Sequence, residues 1–532
     1  MDHFAITFRP DGKQISIHSG ATLVEAAGQA GIILNTVCGG RGTCKKCRVY
    51  IEPDSLAILA CQYRVERDLV VTIPVESRFF EEQILTEGVE AKAGIEPDIY
   101  KDYVQADPSG VVFGVALDIG TTTVVAKLID MRDGHCRATE ADLNPQIRFG
   151  DDVVSRIAYA RGKRELAELH QVIIGCINAL IDNLCRDAGV ESSRIYELCA
   201  VGNTTMNHIF LKLPIAQLGQ APYRAWSLDA CDVPAESLGL HINPDGNVHV
   251  VENIAGFVGA DTTAVALAAD IDSAQEMTLI IDIGTNGEIV LGTKDELYAA
   301  SCAAGPALEG ARIMCGSRAA EGAVEAVVVN DDDIDLDVIG NCPPRSICGS
   351  GLIDAVAVML DLGVLDATGR FVDPAELKGK LPPAIFSRII ERDGQPAFSL
   401  AEAAAGAERG VFLTQRDIRQ VQLAKGAIRT GIKLLQQRAG LQDGDIEHVL
   451  LAGAFGNYIR PASALRIGLL PAVGVEKIRS VGNAAASGAQ MALISRQCRR
   501  QAGRLARKMN YIEIAHEPDF QNVFADSMLF EG

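Results

Sequence analysis

The sequence predicts an α/β protein in which a small, mainly β N-terminal domain precedes a large domain of two duplicated α/β lobes. Three observations carry that prediction. Four cysteines, Cys38, Cys44, Cys47 and Cys61, crowd a glycine-rich loop among segments that alternate like strands. An apolar strand running into Asp-Ile-Gly-Thr occurs twice, at 118–121 and 282–285, each time followed by a second apolar strand. The 51 glycines against only 16 Phe, 10 Tyr and 1 Trp point to many tight strand–turn–helix joints instead of aromatic-rich β architecture.

Composition narrows the function classes. With 532 residues, 48% hydrophobic and 22% charged, the chain is an ordinary globular protein long enough for about three domains. Its formal charge of −20 repels phosphate backbones and anionic lipid, so neither nucleic acid nor a membrane surface is an expected partner. MDHFAITFRPDGK lacks a basic region leading into an apolar run, and no stretch approaches about 18 uninterrupted apolar residues. A cytoplasmic location is therefore expected. There the 14 cysteines stay reduced, and scattered ones such as Cys176, Cys185 and Cys199 read as small buried hydrophobes.

In the N-terminal domain (1–78), residues 4–8 and 15–17 alternate around Pro10-Asp11-Gly12 and predict a hairpin. Thr22 and Glu25 match a capping box that opens a helix, and Gly31 is placed to end it. Strands follow at Arg48–Ile51 and Leu69–Ile73. The cysteines read C-x5-C-x2-C-x13-C. Three thiolates on a glycine loop can wrap one edge of a small inorganic cluster, because glycine lets backbone amides reach the sulfurs, and a fourth returning from elsewhere completes the ligation. The competing reading is zinc, which usually brings two paired C-x2-C knuckles where this chain has only Cys44/Cys47. The segment resembles a [2Fe–2S] ferredoxin of the β-grasp fold. Its first interval matches the adrenodoxin-like spacing, and its last is shorter than in stand-alone ferredoxins.

Residues 79–110 read as a linker, acidic and broken by glycine and Pro97, with a short helix over Glu81–Thr86. The large domain (111–532) divides into lobes of about 111–275 and 276–532. Strand Val111–Leu117 leads to Asp118-Ile-Gly120-Thr121-Thr122-Thr123 and strand Val124–Ile129. Met277–Ile281 leads to Asp282-Ile-Gly284-Thr285-Asn286-Gly287 and strand Ile289–Leu291. A hairpin with Asp at its mouth and Gly-Thr at its tip offers amides and hydroxyls to phosphate oxygens, while the Asp can hold Mg²⁺ directly or through water. Gly256–Ala266 and Asn483–Ala489 read as helices of small residues, and strand His448–Leu451 leads to a glycine turn, Gly453-Ala454-Phe455-Gly456-Asn457, that can pass the face of a purine.

This order of elements resembles the actin, sugar kinase and heat-shock chaperone (ASKHA) ATPase superfamily. The resemblance implies ATP in a cleft between lobes, with Asp118 and Asp282 as catalytic carboxylates. It also implies that Gly120, Thr121, Thr122, Thr123, Gly284, Thr285, Asn286 and Gly287 hold phosphate and Mg²⁺, and that residues 453–457 flank the adenosine. The turn Gly349-Ser350-Gly351 either adds amides to the nucleotide or makes a tight loop-to-helix joint. Asp331–Asp333 with Asp335 and Asp337 lack the glycine and terminal Glu of a calcium loop and read as a solvated acidic turn. Arg496, Arg499, Arg500, Arg504, Arg507 and Lys508 read as a solvated basic helix face.

Ferredoxin followed by ATPase, together with GPALEG at 305–310 and the tail PDFQNVFADSMLFEG, resembles the reductive activators of corrinoid-dependent enzymes. Members often carry an additional domain between the two, so a short form is implied. The resemblance implies ATP-dependent one-electron reduction of Co(II) to Co(I) cobamide on the corrinoid protein of a methyltransferase system. It further implies an upstream low-potential electron donor and a homodimer formed through the ATPase domain. Two rivals remain at this point. One is an activator of 2-hydroxyacyl-CoA dehydratases, in which a cysteine such as Cys348 beside a glycine turn helps bridge a dimer with a [4Fe–4S] cluster. The other is a redox-regulated small-molecule kinase.

Overall fold

The computed structural model describes residues 3–10, 12–30, 32, 34, 42, 47–53, 56–74, 77, 88–89, 93–95, 110–330, 332–403 and 410–530. They form two compact units, Met1–Glu82 with Ile147–Asp151, and Gln83–Gln146 with Asp152–Gly532.

The first unit is built on β1 (His3–Arg9), β2 (Lys13–His18), β3 (Arg48–Ile51), β4 (Leu56–Leu59) and β5 (Leu69–Thr72), in the order β2-β1-β5-β3-β4. β1 and β2 are the expected hairpin, in register Ile6↔Ile15, and β5 lies parallel to β1. Alternation puts Ile6, Phe8, Ile17, Val49 and Val71 on one face, where Leu23 and Ala26 of helix Leu23–Gln29 cover them. The capping box forms. Thr22 N–H donates to Glu25 Oε2 at 2.6 Å, and Glu25 N–H donates to Thr22 Oγ1 at 3.2 Å. β4 was not expected. Gly31 and the Glu81–Thr86 helix lie outside the described residues.

The second unit repeats one topology. Its first sheet takes β6 (Phe113–Ile119), β7 (Thr123–Asp130), β8 (Cys136–Leu143), β9 (Ile195–Gly202), β10 (Cys231–Pro234) and β11 (Asn247–Val250) in the order β10-β11-β9-β6-β7-β8. The other lobe holds β12 (Thr278–Ile283), β13 (Gly287–Gly292) and β14 (Leu297–Cys302), then two three-stranded sheets. These are β15 (Ala323–Val329), β16 (Ile334–Val338) and β17 (Ser346–Ile347), and β18 (Ile389–Arg392), β19 (Gln395–Ala401) and β20 (Val411–Thr414). With β21 (His448–Ala452), β22 (Ile478–Gly482) and β23 (Met509–Tyr511), the second large sheet runs β22-β21-β12-β13-β14-β23. In each large sheet the Asp-Ile-Gly-Thr strand pairs antiparallel with the next strand and parallel with a later one: β6 with β7 and β9, β12 with β13 and β21. The duplicated α/β fold read from the repeated motif is present.

Helices Ala260–Ala268 and Ala484–Ile494 are the two expected small-residue helices, and they cross closely. A Cβ on Gly488 would lie 2.1 Å from the Ala264 carbonyl oxygen, so only glycine permits the approach. Helix Gln415–Ala439, opened by a Thr414/Asp417 capping box, packs on β13 and β14, and tail helix Phe520–Met528 docks along it.

The acidic stretch is solvated as expected at Asp332, Asp335 and Asp337, the last two on β16, while Asp333 forms a two-pronged ion pair with Arg388 (2.5 and 2.7 Å). Two expectations are corrected. The basic helix Arg496–Lys508 is no uniformly solvated face. Its Arg499 reaches inward to the buried Glu197 of β9 at 2.6 Å, which it meets across 302 residues of sequence. The glycine turn after β21 is a short helix, Gly453–Tyr458. Within residues 79–110, the described part is not loose coil. Gly88 bridges Gly482, Val89 N–H donates to the Val481 carbonyl at 3.0 Å, and Val89, Ala93 and Ile95 pack on a core to which both lobes contribute.

Candidate functional site

In the first unit, the β3–β4 hairpin determines where two cysteines lie. Arg48 pairs with Leu59, and Ala60 N–H donates to the Cys47 carbonyl at 2.9 Å, so Cys61 falls one residue beyond the partner of Cys47. The short x13 interval is thus a hairpin that returns its last cysteine to the start of β3. Both thiols are buried. The Gln62 amide lies 3.6 Å from the Cys61 sulfur, and its side chain also lies over Gly42, whose φ of +73° suits a glycine loop. Soft sulfur donors beside a glycine-rich loop fit an iron–sulfur group. Cys38 and Cys44 lie outside the described residues.

In the second unit, each hairpin tip is clamped from behind. At the first, Asn144 donates to the Gly120 carbonyl (Nδ2, 2.9 Å) and the Thr122 carbonyl (N–H, 2.7 Å). The fully buried Arg156 donates to the Thr121 carbonyl at 2.5 Å. With its carbonyls taken, the tip has donors left for a ligand. Asn203 caps helix Thr204–Phe210 by accepting from Met206 N–H at 3.0 Å, and its Nδ2 donates to Thr121 Oγ1 at 2.9 Å. At the second tip, Gly305 N–H donates to the Thr285 carbonyl at 3.0 Å, and Thr285 Oγ1 donates to Glu309 Oε1 at 2.5 Å. Arg318 stands 3.8 Å from the other Glu309 oxygen.

Four carboxylates converge on the cleft beside these tips: Asp118 on β6, Asp282 on β12, Glu288 directly across from Asp282 on β13, and Asp261 in the first turn of helix Ala260–Ala268. Each keeps some solvent exposure while protein surrounds it, as in a narrow cleft. Burial first, then the charges of Asp261 and Asp282, push Asp118 up to about 7, against a hydrogen bond from Asn483 and the charge of Lys127. Burial and Asp261 push Asp282 up to about 7. Burial raises Asp261 to about 6, and Glu288 rises well above the usual range through burial, Asp261 and Asp282. Carboxylates this crowded in a poorly solvated space are stabilised by a hard dication. Among the described residues no group of three or more such side chains is close enough to hold a metal ion by itself.

The sequence reading missed Asp261, Glu288 and Glu309. Asp261 looks like an ordinary first-turn acid. Its helix is seated against the first hairpin's sheet because Gly259 has no Cβ, which would lie 2.4 Å from Asn203 Cα. Glu288 carries one signal, its alternation onto the face of Asp282. Other expected residues have defined places. Gly453, at φ +83°, lies against Asp282, and Gly456 lies against Leu451. The side chains of Ala454, Phe455 and Asn457 lie outside the described residues. Gly351 lies in the first turn of helix Gly349–Asp361, where a Cβ would lie 2.3 Å from the Val324 carbonyl oxygen, and Ser350 Oγ faces the buried Cys348 thiol at 3.4 Å.

Residues 4–74 match the 2Fe-2S iron-sulfur cluster binding domain, residues 113–274 the RACo middle region, and residues 276–532 the C-terminal domain of RACo, the ASKHA domain. The chain is 34% identical to the corrinoid activation enzyme RamQ of Eubacterium limosum, across 97% of this chain and 98% of that one. It is 25% identical to the [Co(II) methylated amine-specific corrinoid protein] reductase of Methanosarcina barkeri, across 78% and 76%. Among solved structures, a reductive activator for corrinoid, iron-sulfur protein is 32% identical with a TM-score of 0.71, covering 99% of this chain and 98% of that one.

Proposed function

This chain belongs to the family of corrinoid reductive activators, and from that premise we propose that it reduces the Co(II) cobamide of a partner protein to Co(I), one electron at a time, at the expense of ATP. The observation that carries the ATP half is the convergence of Asp118, Asp261, Asp282 and Glu288 beside two duplicated Gly-Thr tips. The electron half rests on the ferredoxin-type unit and the Cys47/Cys61 hairpin.

A one-electron step to a low-potential acceptor is uphill. With about 59 mV per factor of ten, a gap of about 0.2 V leaves roughly one acceptor in a few thousand reduced. ATP supplies the difference. Cys38, Cys44, Cys47 and Cys61 are the thiolates for a [2Fe–2S] cluster, which when bound supplies electrons singly. Asp118 and Asp282 hold the water shell of Mg²⁺. Gly120, Thr121, Thr122, Thr123, Gly284, Asn286 and Gly287 meet the phosphates, residues 453–457 and 349–351 line the nucleotide's far side, and the crossing at Gly488 lets the lobes close. The same reading has the protein act in the cytoplasm, as a homodimer through its second unit, on the corrinoid protein of a methyltransferase system and behind a low-potential donor. No helix among the described residues is long and apolar enough to cross a membrane. Cys348, 3% exposed, is sequestered from any cluster shared across a surface, which disfavours the dehydratase-activator reading.

The test mixes the protein with a Co(II) corrinoid protein and a titanium(III) reductant, with and without Mg-ATP, and follows Co(I) absorbance. ATP-dependent Co(I) is expected. An equal yield without ATP overturns the coupling, and phosphorylation of an added metabolite would favour the kinase.

A further inference from the structure

The two hairpin tips share Asp-Ile-Gly-Thr and are opposite in hydrogen-bond polarity. A threonine hydroxyl has one proton to give and two lone pairs to receive. At the first tip Thr121 Oγ1 receives. Asn203 Nδ2 donates to it at 2.9 Å, and the amide cannot be the other way round, because Asn203 Oδ1 is engaged by the Met206 N–H at 3.0 Å. The proton of Thr121 is left for the cleft. At the second tip Thr285 Oγ1 gives. Its proton goes to Glu309 Oε1 at 2.5 Å, since a carboxylate only accepts, and what Thr285 turns to the cleft is a lone pair. Glu309 is held in place, on the 3-10 turn Pro306–Glu309 whose Gly305 N–H is fastened to the Thr285 carbonyl at 3.0 Å.

A phosphate oxygen, itself an acceptor, matches Thr121 and is repelled by the lone pair of Thr285. A water, which has protons to give, matches Thr285. We propose that Thr121 binds the nucleotide's terminal phosphate while the Thr285–Glu309 pair orients the water that attacks it, a division of labour built on the nucleotide-cleft reading above. In the step, the water oxygen bonds to the γ-phosphorus as the bridging β–γ P–O bond breaks, its electron pair leaving with ADP. The water's proton passes to Thr285 Oγ1, and the proton Thr285 already shares passes to Glu309, which returns it to solvent. Little covalent work is asked of the protein in phosphoryl transfer, so fixing that water is where a residue can act. Thr285 is then a catalytic residue and Glu309 a positioning residue that works through it.

The experiment uses the full-length protein, with Mg-ATP affinity measured by calorimetry and phosphate release measured in a single turnover. Thr121→Val is expected to weaken Mg-ATP binding about tenfold, as loss of a hydrogen bond to a charged group does. Thr285→Val and Glu309→Gln are expected to keep affinity within about threefold and to slow release by roughly 100-fold. The double variant should be no slower than either single one, and Thr285→Ser, which restores a hydroxyl, should recover most of the rate lost in Thr285→Val. Three results overturn the assignment: affinity lost with rate kept in Glu309→Gln, additive losses in the double variant, or a rate restored by raising Mg²⁺ alone, which would put the water on the metal. If neither Thr121→Val nor Asp282→Asn alters Mg-ATP binding, the cleft reading itself fails, a result distinct from the other three.

Discussion

Gly453 stands directly over the carboxylate of Asp282: a Cβ at position 453 would lie 2.4 Å from Asp282 Oδ1, and the backbone there has φ +83°. β21 runs parallel to β12 with Ala452 beside Asp282, so the chain must turn into its helix at the point where the carboxylate occupies the space. Only a residue without a side chain fits both the left-handed backbone and the contact.

Gly453→Ala should therefore push Asp282 aside and strain the turn. The left-handed conformation alone costs about 1–2 kcal/mol for a residue with a Cβ. Calorimetry should show a lower melting temperature for the second unit, and Mg-ATP binding should fall at least tenfold. Gly456→Ala, whose nearest neighbours would be Leu451 atoms at 3.3 Å, should be milder on both counts.

The crowded carboxylates make the cleft a proton reservoir. Asp118 and Asp282, at about 7, bind protons in the folded protein that the unfolded chain, near 3.8, releases. Stability of the nucleotide-free protein should therefore fall as pH rises from about 4 through 7, the opposite of a salt-bridged carboxylate. Mg²⁺ displaces those protons, so its affinity in the presence of a non-hydrolysable ATP analogue should increase between pH 6 and pH 8. Titrations in buffers of different ionisation enthalpy will count the released protons. A pH-independent affinity would mean that the four groups do not share the ion's field.

How much of this was legible beforehand varies with the range of the interaction. The hairpins, the capping box at Thr22 and the duplicated lobes follow from local pattern and repetition. Asp261 and Glu288 did not stand out because their neighbours in sequence give them ordinary roles, and only the crossing of two lobes brings them together. Arg499 looked solvated on a helix of six basic residues until β9 delivered Glu197 to it. The residues expected as a turn at 453–457 form a helix, and the place of Gly453 against Asp282 is a contact that sequence does not display.

Cys61→Ala should abolish the visible spectrum of a [2Fe–2S] centre in anaerobically prepared protein while Mg-ATP binding persists. The reason is the hairpin register that returns Cys61 beside Cys47, in a sheet that, among the described residues, holds none of the nucleotide-hairpin strands. Cys348→Ala, at a buried thiol engaged with the Val324 carbonyl and Ser350, should leave iron and sulfide content unchanged. One equivalent of zinc and no iron in the parent protein would sink the cluster reading.

The segment at 88–95 ties the chain leading from the ferredoxin unit to the nucleotide cleft. Gly88 bridges Gly482, and a Cβ on Gly88 would lie 2.4 Å from the Asn483 carbonyl oxygen and 2.8 Å from Ser487 Oγ. Asn483 caps helix Ala484–Ile494 by accepting from Ala486 N–H at 2.9 Å, and its side chain also hydrogen-bonds Asp118, drawing that carboxyl down. A side chain at 88 thus acts on the cleft through a single intermediary. Gly88→Val should lift the strand pairing at Val89, which donates to the Val481 carbonyl, and disturb Asn483. Limited proteolysis should then cut between residues 83 and 109 faster than in the parent, and Asp118, deprived of its donor, should titrate higher, so that Mg-ATP affinity at pH 7 falls. The cluster's spectrum should not change, because no ligand cysteine is touched. An unchanged cleavage rate together with unchanged affinity would show that the segment at 88–95 does not act on the cleft.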